Sequence, residues 1–422
     1  MTCDSQAPQE ERKGARPRIL LVAPRVPYPP VGGEFQKNYE LIRILNRHFD
    51  LVYVAMSDTP LSAEADAFLS THTMIHSVHV LGRTQRLLRV IGSLFRLEPL
   101  QVGYFFSPAL KCEVERAASS VDLVYCVLIR TAQYARSLKR PKVLDMADLM
   151  SVNHASMART TPRRWMRLLY RLESWLLSPY ERRMVNQFDA TLLFNSSEVE
   201  QLARFGRVVQ VPHGVNPALL TDGPDDFRYR GYVVFIGKMD YQPNVDAVVW
   251  FAREVMPLLP ADLRFVIVGA KPVRAVTELA VSDSRIEVTG FVDSFAEIVR
   301  ASLCVVAPMQ SGSGIQNKVI EAMALGAVNV VSRMAAAPLE GVVAGRELFI
   351  EDAPSAMAHR ILALHTDPTV AAGMGEAARA FVTHRYSWDG YAARLLEILH
   401  PLIYEGQIKA KVQAAILPVG EA

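Results

Sequence analysis

The chain has 422 residues and a mass of 46.9 kDa; half of its residues are hydrophobic and 21% are charged. This length predicts two domains, and a chain this apolar is not extended and disordered. No apolar run approaches the roughly 18 to 20 residues that span a bilayer, and residues 1–17 lack the apolar region of a signal peptide, so we expect a cytoplasmic protein. The four cysteines stand far apart and predict neither a disulfide framework nor a structural zinc site.

The net charge of +3 conceals an asymmetry between the two halves of the chain. Residues 1–210 hold 28 Lys and Arg against 20 Asp and Glu, and the remainder holds 18 against 23. The excess is densest in residues 159–183, where only Glu173 and Glu181 oppose seven arginines: Arg159, Arg163, Arg164, Arg167, Arg171, Arg182 and Arg183. A basic helix that also carries Trp and Leu is typical of a segment on an anionic membrane surface.

The structural alternative is that this segment is a helix of the first domain whose arginines form only its solvent-exposed face. Its apolar residues would then pack into the first domain: Trp165, Leu168, Leu169, Leu172, Trp175 and Leu176. Nucleic-acid binding is not expected in either case, because the positive charge is local and no nucleic-acid motif accompanies it.

In chain order, the sequence predicts a disordered tail over residues 1–17 and a first buried strand over residues 18–24. A Pro/Gly loop and a helix over residues 36–49 follow, because Tyr39, Ile42, Leu45 and Phe49 fall at helical spacing. Further apolar runs predict strands with helices between them, at residues 50–57, 78–82, 122–128 and 142–148. Alternating strands and helices favour a parallel, doubly wound sheet.

The same alternation restarts after a Pro-, Gly- and Asp-rich stretch near residue 217. Strands are predicted at residues 232–237, 264–270, 285–292, 303–308 and 328–332, and helices at 247–259, 294–301 and 318–326. We therefore expect an α/β protein with two Rossmann-like domains, 18–216 and 217–384, that face a central cleft. Residues 385–422 predict a helix that crosses back to the first domain, pinned by Tyr386 and Trp388, and a tail.

Ligands of such sheets bind beyond the carboxyl ends of the strands, so the loops after strands hold the candidate residues. In the first domain, Gly32 and Gly33 precede a helix and let the backbone approach an anion, although a tight turn explains them equally well. No GxGxxG spacing is present, which argues against a nicotinamide or flavin enzyme.

The second domain has a richer loop, in which Gly312 and Gly314 precede a helix that starts near residues 315–317. Lys318, in the first turn, is unfavourable for the helix dipole unless an anion binds there, and Glu321 on the same face can accept from a ribose diol. An ordinary capped helix is the alternative.

Gly237 and Lys238 repeat the arrangement after another strand, where a solvated surface lysine is the alternative. Two lysines and two glycine loops without an acidic metal-binding cluster predict a diphosphate neutralised by protein cations, with no metal and no cofactor.

Several motifs in this order resemble a known family: PYPPVGG, VPHGVN, FIGKMDY, VTGFVDS, GSGIQNKVIEAMALGA and YSW. The chain is similar, from about Arg18 to Leu399, to the retaining glycosyltransferases of family 4, which have the GT-B fold. GIQNKVIEAMA and FIGKMDYQPNVDAVVWF resemble in particular the sugar transferases associated with exosortase (PEP-CTERM) exopolysaccharide systems.

The resemblance implies roles for individual positions. Gly33, after Gly32, matches the glycine whose backbone approaches the donor diphosphate, and Gly237 precedes Lys238, which matches the basic residue that neutralises it. Glu321 matches the second glutamate of the Glu-x7-Glu motif, which holds the ribose, and Phe291 and Val292 match the loop that contacts the nucleobase. The donor-binding loop before Glu321 contributes Gly312, Ser313, Gly314, Ile315, Gln316 and Lys318.

Four positions depart from the family pattern. The first glutamate of the motif falls on Ser313, which affects donor-sugar contacts. The second basic residue falls on Asn244, a loss for which Lys318 is the expected replacement. The histidine that many relatives carry after a first-domain strand is replaced by Asp148 or Asp145, so the candidate catalytic residues are Lys238, Lys318 and Asp148. His213 stands where relatives have Asn and is expected to support the interdomain loop.

The expected activity is therefore a retaining hexosyl transfer from a nucleotide diphosphate sugar to a growing, lipid-linked exopolysaccharide or related glycan. Two alternatives remain open from the sequence: a nucleotide-sugar epimerase of the same fold, and a glycan-pathway scaffold that has lost activity. The expected location is the cytoplasm, peripheral on the inner face of the cytoplasmic membrane if residues 159–183 contact lipid.

Overall fold

The computed structural model describes residues 16–30, 33–80, 82–161, 163–311 and 315–416. Residues 1–15 of the predicted tail lie outside this range, as do four predicted site residues: Gly32, Gly312, Ser313 and Gly314.

The first domain contains a fully parallel sheet whose strands follow the order β3-β2-β1-β4-β5-β6-β7. Apolar runs form these strands because both faces of the sheet are covered by helices. The strands are β1 (Arg18–Ala23), β2 (Asp50–Ser57), β3 (Ile75–Val80), β4 (Leu123–Val127), β5 (Lys142–Ala147), β6 (Ala190–Leu193) and β7 (Val208–Gln210). The helices are α1 (Gly33–His48), α2 (Ala63–His72), α3 (Arg83–Phe95), α4 (Leu100–Tyr104), α5 (Pro108–Ala118), α6 (Ala132–Ala135), α7 (Met150–Thr160), α8 (Arg164–Gln187) and α9 (Ser196–Leu202).

The second domain repeats the design in a parallel sheet of order β10-β9-β8-β11-β12-β13. Its strands are β8 (Val233–Ile236), β9 (Phe265–Val268), β10 (Ile286–Gly290), β11 (Cys304–Ala307), β12 (Asn329–Val331) and β13 (Phe349–Ile350). The helices are α10 (Gln242–Trp250), α11 (Arg274–Ser282), α12 (Ala296–Ala301), α13 (Asn317–Ala324), α14 (Arg333–Ala336), α15 (Pro354–Thr366), α16 (Met374–Arg385) and α17 (Trp388–Ile416).

The chain crosses back to the first domain between α16 and α17. Val382 and Tyr386 belong to the core of the second sheet, whereas Tyr391, Leu395 and Leu399 of α17 pack in a core of the first sheet. Together with the two parallel sheets, this crossing confirms the predicted fold class, including the return of the C-terminal helix. The predicted boundary near residue 217 lies between β7 and β8 and stays a prediction.

Two details of the sequence-based assignment differ from the structure. Strands β6, β7 and β13 were not predicted, because runs of four, three and two residues carry little periodic signal. The helix predicted over residues 247–259 ends as an α-helix at Trp250, and a π-helical turn and a 3-10 turn follow it. Pro257 has no N–H to continue the α-helical hydrogen bonds at this end.

In both sheets the strand order reverses at one point, between β1 and β4 in the first and between β8 and β11 in the second. Connections diverge there to opposite faces and leave a crevice at the carboxyl ends of the strands. The loops after β1, β8 and β11 border these two crevices. Among the described residues, no helix is both long and apolar enough to cross a membrane.

Candidate functional site

A cavity of about 220 Å³ lies between the two domains, where both crevices open. Residues from both domains and from the crossing segment line it: Gly33, Gln36, Lys37, His213, Gly214, Val215, Asn216, Asn317, Ile320, Glu321 and Trp388. Of the predicted donor-binding residues, Gly33 and Glu321 are in this set. The structure therefore brings a first-domain loop and a second-domain helix to one site.

Two helix N-termini meet at this cavity. Helix α1 begins at Gly33 and α13 begins at Asn317, and a Cβ atom built on Gly33 would lie 3.8 Å from Asn317 Nδ2. The first turn of each helix has unpaired N–H groups and a partial positive charge. The cavity is thus suited to an anionic group such as a phosphate.

Gly237, Asn244 and Lys318 pack together at the crevice of the second sheet. A Cβ atom on Gly237 would lie 2.7 Å from Asn244 Nδ2 and 3.4 Å from Lys318 Cε, so a larger residue would force these side chains apart. Asn244 is buried, and its Nδ2 donates to the Lys238 carbonyl at 2.9 Å. Asn244 therefore fixes the loop after β8.

Lys318 is a buried cation, and no described carboxylate forms an ion pair with it. Its side chain is 9% exposed, and Nζ donates to Gln316 Oε1 at 2.8 Å and lies 5.6 Å from the ring centroid of Phe235. Burial lowers the pKa of Lys318 to about 8, and the nearby Glu321 opposes this shift. A bound anion would restore the preference for the charged form.

Glu321 lies one helical turn from Lys318 and faces the cavity. Burial raises the pKa of its carboxyl group, and Lys318 partly offsets that effect. A carboxylate in this position can accept hydrogen bonds from a diol.

Lys238 differs from Lys318 because it is exposed and already paired. Its side chain is 60% exposed, and Nζ lies 3.3 Å from Asp240 Oδ1. The lysine follows β8 at the crevice, as predicted, yet it is outside the set that lines the cavity.

The remaining predicted residues of the second domain occupy the same edge of the sheet. Phe291 and Val292 follow β10 directly; Phe291 is exposed, and Val292 packs against the second core. Gln316 caps α13, and Ile315 packs against the same core. No contact joins Phe291 to Lys318 or Glu321 in the described part of the chain, so the nucleobase role stays a prediction.

The first-domain wall of the cavity holds a charged network that the sequence analysis missed. Lys37 of α1 is buried and lies 2.5 Å from Asp145 Oδ1 at the end of β5. Tyr125 donates to Asp145 Oδ2 at 2.7 Å, and Lys37 Nζ lies 4.9 Å from the ring centroid of Phe194. The sequence contained one indication of this pair. Lys37 is at helical spacing with Leu41 and Ile44, so it falls on the buried face of α1, where a cation needs a partner of opposite charge.

His213 lies beside this network and lines the cavity. Burial lowers its pKa, which keeps the ring neutral near pH 7, and Nδ1 donates to the Gly214 carbonyl at 2.9 Å. The ring stacks on Trp388 with centroids 6.1 Å apart. These contacts agree with a role in supporting the junction between the domains.

Asp148 follows β5 in a group of buried acids. Burial and the neighbouring Asp145 raise its pKa, and Lys37 opposes them. Burial and Asp148 raise the pKa of Glu198 to about 8, and Glu198 Oε2 accepts from the Leu149 amide at 3.0 Å. Asp148 also raises the pKa of Tyr241 in the second domain, although less than burial does, so this acid faces the cleft.

The backbone next to Asp148 is strained. Ala147 has φ of +64°, and the register between β5 and β6 shifts at this point. A residue other than glycine in the left-handed region raises the free energy of the folded state, and surrounding contacts must offset this increase. Such residues cluster at functional sites. Among the residues described here, no three His, Cys, Asp or Glu side chains form a group able to hold a metal ion.

One segment of the chain matches a known protein family. Residues 230–367 match the family described as "Glycosyl transferases group 1", and this segment contains the whole second sheet with Gly237, Lys238, Lys318 and Glu321. No curated protein matches the sequence significantly.

Solved structures share the fold over nearly the whole chain. HepE of Anabaena in complex with UDP has a TM-score of 0.62 at 16% identity and covers 91% of this chain and 100% of its own. Sucrose-phosphate synthase from Thermosynechococcus elongatus has a TM-score of 0.62 at 17% identity, with 95% and 100% covered. TarM of S. aureus has a TM-score of 0.65 at 11% identity, with 90% and 98% covered. The fold is therefore the GT-B fold.

Proposed function

We propose that the protein is a retaining glycosyltransferase that moves a hexose from a nucleotide diphosphate sugar to a lipid-linked exopolysaccharide or related glycan. The observation that carries the proposal is the pairing of Lys318 and Glu321 at the N-terminus of α13, opposite the N-terminus of α1, within the segment that matches glycosyl transferases group 1. HepE binds UDP and UDP-glucose in solved complexes, so uridine nucleotides are the first donors to test.

The chemistry required of these residues is electrostatic. As the glycosidic bond breaks, negative charge builds on the leaving diphosphate, and Lys318, Lys238 and the helix N-termini stabilise it. Glu321 holds the ribose and fixes the donor. Attack by the acceptor from the face that the diphosphate leaves would retain the anomeric configuration without a carboxylate nucleophile.

The acceptor side of the proposal places residues 159–183 on an anionic membrane. Trp165 and Trp175 are each 64% exposed and Leu168 is 70% exposed, so these three do not pack into the first domain, whereas Leu176 is buried. Both glutamates of the segment point inward: Glu173 accepts from the Leu100 and Gln101 amides, and Glu181 accepts from Ser151. Among the described residues, no carboxylate lies within ion-pair distance of the arginines on the outer face of α8.

The direct test is a transfer assay with labelled nucleotide sugars and lipid-linked glycans extracted from membranes. We expect label to enter the lipid fraction with its anomeric configuration unchanged, and Lys238→Ala to lower the rate by roughly 10²-fold or more. Lys271→Ala, another lysine after a strand of the second sheet, is the matched control. Binding of a donor with no transfer to any acceptor would instead indicate an inactive scaffold.

One observation favours a nucleotide-sugar epimerase as the second candidate. Asp145, Asp148 and His213 supply acid and base groups on the first-domain side of the cleft. Turnover of the donor in the absence of any acceptor, with the epimeric nucleotide sugar as the product, would favour this candidate over the transferase.

A further inference from the structure

Helix α3 presents an apolar face to solvent. Its residues at positions 87, 88, 91, 94 and 95 form one stripe along the helix, and the exposed fractions run from 42% for Leu94 to 87% for Phe95. Leu97, just after the helix, is 70% exposed. An amphipathic helix of a globular domain normally turns this face to the core.

The polar face of α3 is the one that packs on the protein. Arg86 is buried, forms an ion pair with Asp58 and lies 5.0 Å from the ring centroid of Tyr104. Arg89 donates to the Phe106 carbonyl. Ser93 lies against Gly103 so closely that a Cβ there would overlap its hydroxyl. These contacts fix the orientation of the helix, so its outward apolar stripe is part of the folded structure.

The sequence around the stripe is basic. Residues 82–97 include four arginines and no acidic residue; Arg86 and Arg89 belong to the packed face, and Arg96 follows the helix. Helix α4 follows at once, and the Leu100 and Gln101 amides donate to Glu173 of α8 at 2.8 and 3.0 Å. The residues that follow the stripe therefore contact α8, whose outer face carries Trp165, Leu168 and Trp175 among arginines.

A groove of about 680 Å³ lies between α7 and α8. Arg159, Arg171, Arg182 and Trp175 are among its lining residues. Arginine side chains in an open groove suit the phosphate groups of lipids, and Trp is favoured at the level of the headgroups.

We propose that α3 is a membrane-inserting element whose apolar stripe enters the acyl boundary of an anionic bilayer while the arginines of α7 and α8 contact the headgroups. Apolar residues bordered by basic ones are the signature of an interfacial helix. This surface adds an apolar component to the electrostatic contact proposed for residues 159–183, and it does not depend on the donor site.

Pairing of two copies through α3 is the competing use of the stripe. It would bring the arginines next to α3 and on α8 of one copy toward those of the other, and like charges repel. An anionic lipid surface attracts the same arginines, so charge complementarity selects the bilayer.

The test uses the full chain and vesicles of phosphatidylcholine with a minority of phosphatidylglycerol. Leu88→Gln with Phe95→Gln removes the stripe without changing charge, and we expect the fraction bound to vesicles to fall about tenfold or more. Phe227→Gln with Val281→Gln is the matched control, because these side chains are 71% and 87% exposed in the second half of the chain. The control should bind like the wild type.

Insertion is measured with an environment-sensitive fluorophore on Phe95→Cys, after Cys3→Ser and Cys112→Ser; Cys126 and Cys304 are buried. We expect enhanced fluorescence on vesicles, and quenching by lipids with a quencher in the acyl chain. The proposal is overturned if the Leu88→Gln, Phe95→Gln variant binds vesicles as the wild type does. It is also overturned if wild type forms dimers that this variant lacks while neither binds vesicles. Unchanged nucleotide affinity of the variant keeps this test separate from that of the proposed activity.

Discussion

Glu321 combines burial, a neighbouring cation and a place in the cavity wall. If its carboxylate accepts from ribose hydroxyls, Glu321→Gln replaces a charged acceptor with a neutral amide and weakens nucleotide binding by about 1–3 kcal/mol. Calorimetric titration with the donor measures this loss. Glu278→Gln, at an exposed position of the same domain, should bind like the wild type. Equal affinities of all three proteins would remove Glu321 from the site.

If the proposed nucleotide binds beside Lys318, its affinity should depend on pH. In the free protein burial lowers its pKa to about 8, and a diphosphate beside Nζ would favour the ammonium form and raise the pKa. Since the ligand binds the protonated form, affinity should fall as pH rises above about 8, and binding near that pH should take up a proton. Calorimetry in buffers of different ionisation enthalpy detects the uptake. Lys318→Met should abolish it, and buffer-independent heats for the wild type would contradict the assignment.

Glu198 gives a prediction for stability. Its folded-state pKa of about 8 lies above the usual value near 4.5, so the folded state holds the proton more tightly, and this stabilisation is lost as pH rises from about 5 through 8. Glu198→Gln keeps an acceptor for the Leu149 amide but carries no charge. Its effect on the free energy of unfolding should be more stabilising at pH 8 than at pH 5, by about 1–3 kcal/mol. Denaturant unfolding at the two pH values measures the difference. Glu200→Gln, an exposed neighbour in α9, should show none.

Residues that follow strands were the predictable part of the site, because the carboxyl ends of parallel strands lie at the same edge of the sheet. The positions of Gly33, Gly237 and Glu321 at this edge were predicted in this way. The pairing of Lys37 with Asp145 was not, although Asp145 was named as a candidate, because it joins α1 to β5 across about a hundred residues and depends on which helix face is buried. The assignment of His213 to support of the junction agrees with its stacking on Trp388.

At the scale of elements, the start of α17 locks the junction between the domains. Val215 donates its amide to the Tyr386 carbonyl at 2.8 Å, and a Cβ on Gly214 would lie 2.6 Å from the Trp388 nitrogen. Gly214→Ala therefore forces apart two backbone segments and should destabilise the protein by about 1–3 kcal/mol. Gly92→Ala, where a Cβ meets nothing within 4 Å, should be neutral or slightly stabilising. Equal unfolding midpoints for the two variants, measured by denaturant titration, would contradict this account of the junction.

Helix α3 shows that the hydrophobic pattern of a helix does not always predict which of its faces is buried. Periodicity identifies an apolar face, and the default inference is that this face is buried. Here Arg86 and Ser93 occupy the buried side because Asp58, Tyr104 and Gly103 accommodate them. Those partners come from other elements, so the sequence of α3 alone could not reveal the inversion.

For the whole molecule, the alternation of apolar runs and helical segments was sufficient to predict two parallel sheets and the return of the last helix. Short strands such as β13 were beyond that signal, since two residues define no period. The juxtaposition of the N-termini of α1 and α13 also required the structure, because it depends on how the two domains face each other.

The central claim is that the cleft binds a nucleotide diphosphate sugar through the second domain. Thermal unfolding of the wild type with a series of nucleoside diphosphates and their sugars, uridine nucleotides first, tests it most directly, because a ligand that binds only the native state raises the midpoint with the logarithm of its saturation. We expect at least one nucleotide sugar to raise the midpoint of the wild type and of Glu278→Gln, and to raise that of Glu321→Gln less. A wild-type midpoint that no nucleoside diphosphate or nucleotide sugar shifts would contradict the claim.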